Sequence, residues 1–83
     1  MRVVYTRHAE LKLERSDVVM TGVTKNVVEL ALKDPVVKGR TKYGELAAVR
    51  ELDSGHDLRV VYNKTGVTLK VITFHVARKG RYR

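Results

Sequence analysis

Three short links constrain everything after Pro35. The stretches 36–41, 45–52, 57–63 and 67–76 are rich in Val, Leu, Thr and Ile, and only KYG, DSGH and NKTG separate them. Apolar, β-branched runs of this length read as strands, and glycine in each link permits the positive φ that a tight turn needs. Links this short join antiparallel neighbours, because a parallel crossover takes roughly a dozen residues or more. The second half of the chain is therefore expected to be a four-stranded meander.

The first half has helical signals. Ala9, Leu13, Ser16, Met20 and Val23 recur at helical spacing after Thr6, whose hydroxyl can cap the free N–H groups of a first turn. This predicts a helix over 7–21, with Gly22 after it and a weak point at Asp17-Val18-Val19. Thr24 caps a second predicted helix over 25–33 that buries Val27, Leu30 and Ala31, and Asp34-Pro35 ends it. The expected fold is α+β: two N-terminal helices packed on one face of a four-stranded antiparallel sheet, as a single domain over 1–83. Residues 3–5 are a candidate fifth strand.

Composition excludes several classes. Without cysteine there is no disulfide framework, thiolate zinc site or cysteine nucleophile. No apolar run approaches the roughly 18 residues of a spanning helix, so no membrane partner is expected and the cytoplasm is the expected location. The six glycines are scattered singly and match no phosphate-cradling loop. The three histidines show no metal-ligand spacing, so neither metal nor cofactor is expected.

Charge is the positive signal. The net charge is +8, and every acid lies at or before Asp57. Beyond it come Arg59, Lys64, Lys70, Arg78, Lys79, Arg81 and Arg83 with no acid among them, a distribution that attracts polyanions. Side chains alternate along a strand, so turn length decides which cations share a face. With DSGH and NKTG as even-numbered loops, Arg50 opposes Arg59 and Arg59 opposes Lys70. That face would also carry Leu46, Ala48, Val61, Ile72 and Phe74, and a three-residue KYG loop adds Lys38 and Arg40. Ala47, Val49, Leu58, Val60, Tyr62, Val67, Leu69 and Val71 would then face the helices. Opposed like charges cost some tenths to about 1 kcal/mol in a sheet, a repulsion that a bound phosphate would relieve. Arg78, Lys79, Arg81 and Tyr82, in the stretch FHVARKGRYR, are candidates to extend the same face.

For proton transfer the candidates are His75, His8 and Tyr82. Strict alternation turns His75 toward the helices, and only a bulge before it would bring it to the cationic face. His8, Lys12 and Arg15 form one helix stripe, either a basic edge beside the sheet or a solvated face.

Two stretches carry a resemblance. LRVVYNKTGVTLKVITFHVARKGRYR resembles the last hairpin and tail of RelE/ParE-type small toxins, with Arg59, Arg78 and Tyr82 at the matching features. YTRHAELKLER and LKDPVVK resemble a small uncharacterised domain family related to that fold, through His8, Ala9, Arg15 and Asp34-Pro35. The SDVVMTG segment is longer than the turn expected between the helices. The resemblance implies a RelE-like fold and a metal-independent endoribonuclease of mRNA-interferase type; for that chemistry the residues themselves offer Arg59 and Arg50 as cations on the phosphate and His75 and Tyr82 for proton transfer. Lys70, Arg78, Lys79, Arg81, Lys38, Arg40, His8 and Arg15 would hold RNA, typically ribosome-associated mRNA, and an acidic antitoxin would cover the basic face. Two other readings stay open: a non-enzymatic nucleic-acid binder using the same face, and a toxin-fold protein acting by protein–protein inhibition.

Overall fold

A computed structural model describes residues 1–83. The chain runs β1 (Arg2–Tyr5), α1 (Arg7–Glu14), α2 (Ser16–Val19), α3 (Lys25–Lys33), β2 (Val37–Arg40), β3 (Leu46–Asp53), β4 (His56–Thr65) and β5 (Thr68–Arg78). The five strands form one sheet in the order β1-β5-β4-β3-β2. The α+β class is as expected, and the candidate fifth strand at residues 3–5 forms as β1, ahead of the helices; two corrections remain. The helices number three, and the sheet is mixed because β1 pairs parallel with β5 while the other pairs are antiparallel. Nothing forces β1 to be antiparallel, since it leads into a helix and not into a hairpin.

The predicted first helix is broken. Thr6 caps α1, its Oγ1 accepting from the Ala9 amide at 3.1 Å. Arg15 is extended (φ −65°, ψ 136°), and α2 starts afresh at Ser16. Ser and Asp favour helix starts over helix interiors, and the β-branched Val18 and Val19 add little propensity to keep one helix running through them. Thr24 caps α3 as expected, but the buried residues are Val28, Ala31 and Leu32, and Leu30 is exposed.

One apolar cluster joins the two layers. Ala9, Val18, Val23, Val28, Ala31 and Leu32 from the helical half pack on Ala48, Leu58, Val60, Tyr62, Leu69, Val71 and Phe74 of the sheet. β1 covers only the first part of the β5 edge, from Thr68 to Val71. Beyond it α1 takes over: the Thr6 hydroxyl donates to the Ile72 carbonyl at 2.9 Å, and the Lys12 ammonium donates to the Phe74 carbonyl. An otherwise bare edge therefore has its carbonyls satisfied by side chains.

Two one-residue irregularities set the faces. The SG turn pairs Asp53 with His56, but Leu52 is bulged, so Glu51 opposes Asp57 and Arg50 opposes Leu58. In the last hairpin the turn is Gly66-Val67, with Thr65 opposite Thr68, and Ile72 is bulged, so Tyr62 pairs with Val71 whereas Val61 pairs with Thr73. Each additional residue reverses the side chains beyond it. Ala48 and Phe74 accordingly lie in the core and not on the open face, and Ala47 and Val49 turn away from the helices.

Phe74 is 1% exposed, so Phe74→Ala is expected to lose about 3–5 kcal/mol of stability in urea unfolding. A residue on a solvated face would lose under about 0.5 kcal/mol.

Candidate functional site

The bulge at Ile72 meets the condition for His75 to reach the open face. Beyond it Thr73 and His75 point away from the helices, and His75 is the direct partner of Arg59 in β4. These residues line a groove of about 510 Å³ with Arg40 at the end of β2 and Lys42 and Tyr43 from the loop between β2 and β3. From the sheet edge α1 reaches the same place. His8 Nε2 lies 3.3 Å from the Thr73 hydroxyl, and Lys12 Nζ donates to that hydroxyl at 3.4 Å. Of the two readings of the His8 stripe, the basic edge holds for His8 and Lys12. Arg15 instead turns to Asp17, 2.8 Å away.

The segment after β5 folds back onto this face. Gly80, at φ +89°, makes a turn that a side chain would strain, and the Lys79 amide donates to the Gly55 carbonyl at 3.0 Å. Asp57, 0% exposed, receives the Gly80 amide at 3.0 Å and both Arg83 donors, Nε at 2.9 Å and Nη2 at 2.7 Å. The Arg83 guanidinium, aided by the Gly80 amide, holds the Asp57 carboxyl below the usual carboxylate range against the opposing effect of burial. The same pair raises the Arg83 guanidinium. Lys79 closes the clamp on Glu51 at 2.9 Å.

This clamp sets Tyr82. Its ring centroid is 4.6 Å from the Arg59 guanidinium carbon and 5.7 Å from that of Arg81. Arg59 is bridged to no acid, whereas Arg50 and Arg83 both are. His75, its strand partner, is pushed below its ordinary pKa first by burial and then by the Lys12 and Arg59 charges. Both effects favour the uncharged imidazole over the charged one. Lys12 is lowered as well, chiefly by burial and then by Arg15.

The expected row of Arg50, Arg59 and Lys70 does not form. The Leu52 bulge turns Arg50 to the helix side, where it donates to the Asp34 carbonyl at 2.6 Å and carboxylate at 3.1 Å. Lys70 opposes Asn63, four pairs along the ladder from Arg59. Lys38 opposes Ala48 and shares the helix side, and Arg40 donates to the Gly44 carbonyl at the rim of the groove. Arg78 lies opposite His56 at the end of the hairpin. What comes together is His75, Arg59 and Tyr82, with His8, Arg40 and Arg81 around them. Sequence reasoning did not find Thr73, Tyr43 or the Asp57–Arg83 pair. Asp57 had one signal, a lone acid inside an apolar strand, and Tyr43 had another, an aromatic ring beside a lysine in a turn.

No three His, Asp or Glu side chains converge at metal-ligating distances, and no helix is long and apolar enough to cross a membrane. Neither a protein-family model, nor a curated protein, nor a solved structure matches the chain.

Arg83→Ala removes the bidentate partner of Asp57 and leaves only the Gly80 amide on its carboxylate, so it is expected to lower Tm. Thermal melts followed by circular dichroism measure it. Stability should also fall with acidity in two windows, read from denaturant titrations across pH. The folded pKa of His75 is below its ordinary 6.5, so the unfolded chain binds the proton first and stability drops as pH falls from 6.5 toward the folded value. The Asp57 contribution is present above its ordinary 3.8 and is lost as pH falls through its lower folded value. His75→Gln should remove the first window and leave the second.

Proposed function

We propose that the face carrying Arg59 and His75 binds RNA and cleaves its backbone by metal-independent transesterification, as a RelE-like endoribonuclease. The observation that carries this reading is the direct pairing, in one groove, of the His75 imidazole with the Arg59 guanidinium, which has no acid partner. RNA supplies its own nucleophile. His75 takes the proton of the 2′-hydroxyl, the 2′-oxygen bonds to phosphorus, and the bond to the 5′-oxygen breaks. Arg59 neutralises the charge that accumulates on the pentacoordinate phosphate. His8, held at the Thr73 hydroxyl beside the same face, returns a proton to the leaving oxygen. Tyr82 orients Arg59 and offers its ring to a base. The excess of cations favours the same ligand, and an acidic antitoxin covering this face is the protein partner that the reading implies.

The test is labelled RNA incubated with the protein and EDTA, alone and with ribosomes. Products ending in a 2′,3′-cyclic phosphate are expected. His75→Gln should slow cleavage by roughly a hundredfold or more while RNA binding persists, and Arg59→Ala should weaken both. Because His75 acts as base only when neutral, the rate should rise with pH through its folded pKa, putting the midpoint of the acidic limb below 6.5. Salt-sensitive binding without products would make the face a non-enzymatic RNA platform.

A further inference from the structure

The loop between β2 and β3 holds an aromatic ring in water at the rim of the groove. Tyr43 is 79% exposed, yet the backbone beneath it is fixed. The Thr41 amide donates to the Glu45 carbonyl at 2.8 Å, the Gly44 amide to the Thr41 carbonyl at 3.0 Å, and the Tyr43 amide to the Thr41 hydroxyl at 3.2 Å. That hydroxyl donates to the Glu45 carboxylate at 3.2 Å, and Arg40 donates to the Gly44 carbonyl at 3.1 Å. Gly44 sits at φ +90°, so the bend itself selects glycine. Lys42 lies 5.2 Å from the ring centroid. Folding gains nothing by holding an apolar ring in solvent, and so ordered a loop keeps the ring presented, ready for a ligand.

Position relates this ring to the rest of the face. The loop enters β3 at Leu46, opposite Tyr62, whereas Arg83 is anchored at Asp57, near the start of β4. Arg59 and His75 lie between these levels, and Tyr82 stacks on Arg59 from the Asp57 end. An aromatic ring therefore stands at each end of a path along β4, with the cation and the imidazole in the middle. Arg40 and Lys42 add positive charge at the Tyr43 end, and Glu45, already held by Thr41, is the acid in the groove lining. Flat apolar rings flanked by cations fit a ligand that alternates planar bases with phosphates.

We infer that Tyr43 forms a base-stacking subsite that takes an unpaired nucleobase of single-stranded RNA, next to the phosphate held by Arg59. This rests on the proposed RNA-binding role of the face, and adds that the substrate is single-stranded. In a duplex the bases are stacked on one another and cannot lie on the ring.

The experiment measures fluorescence anisotropy with a labelled RNA oligonucleotide that is 2′-methoxy-substituted to prevent cleavage. The oligonucleotide is used single-stranded and annealed to its complement. Tyr43→Ala should weaken single-strand binding by roughly tenfold, within the range for loss of one stacked base. Tyr43→Phe should bind as the wild type does, and both variants should keep its salt dependence, because no charge is lost. The duplex should bind more weakly than the single strand and be insensitive to Tyr43→Ala. Unchanged single-strand affinity in Tyr43→Ala, alongside a loss in Arg59→Ala, overturns the subsite alone. Equal losses for duplex and single strand also overturn it. Absence of RNA binding by the wild type overturns the subsite together with the RNA-binding role.

Discussion

Strand alternation governs this molecule, because a single bulged residue transfers every side chain beyond it to the opposite face. Leu52 in β3 and Ile72 in β5 are such residues, and between them they sort the basic side chains. The first sends Arg50 to the helix side and into a bond with Asp34. The second sends Phe74 into the core and His75 out beside Arg59. The same residue thus settles both packing and chemistry: with Ile72 in register, the protein would have a histidine in its core and a phenylalanine in its groove.

The Asp57–Arg83 pair turns a strand and a trailing segment into one surface. A carboxylate with no exposure is tolerated because a bidentate guanidinium and a backbone amide satisfy it. Its consequence is positional. By anchoring the chain at Arg83, it sets Tyr82 against Arg59, so the aromatic ring and the guanidinium reach the face as a unit. Lys79 on Glu51 reinforces the fold-back and removes that lysine from the pool of free cations.

The positive charge is divided by partner. Arg15, Lys25, Arg50, Lys79 and Arg83 are tied to acids and serve mainly to hold segments together. Arg59, Arg40, Lys42 and Arg81 are bridged to no acid and surround or border the open groove, so their positive field is left uncancelled there. Lys12, bridged to no acid, serves both purposes. It closes the bare edge of β5 and also contributes to keeping His75 uncharged. A cation that stabilises the fold here tunes the proton affinity of the candidate base.

Much of this was legible in the residues. The α+β class, the caps at Thr6 and Thr24, the turn at Ser54-Gly55 and the candidates Arg59, His75 and Tyr82 all follow from local patterns, whose causes lie within a few residues. The break at Arg15 was visible only as weak propensity, and the parallel β1–β5 pairing had no local signal at all. Pairing register, the face that each cation occupies and the Asp57–Arg83 contact were decided by the tertiary structure. Leu52 and Ile72 are ordinary strand formers, with neither glycine nor proline beside them to mark a bulge. Their displacement shows only in the pairing of whole strands, which places Phe74 in the core and Arg50 on the helix side. Sequence determined which residues could do the chemistry, and the packing of the core determined which of them meet.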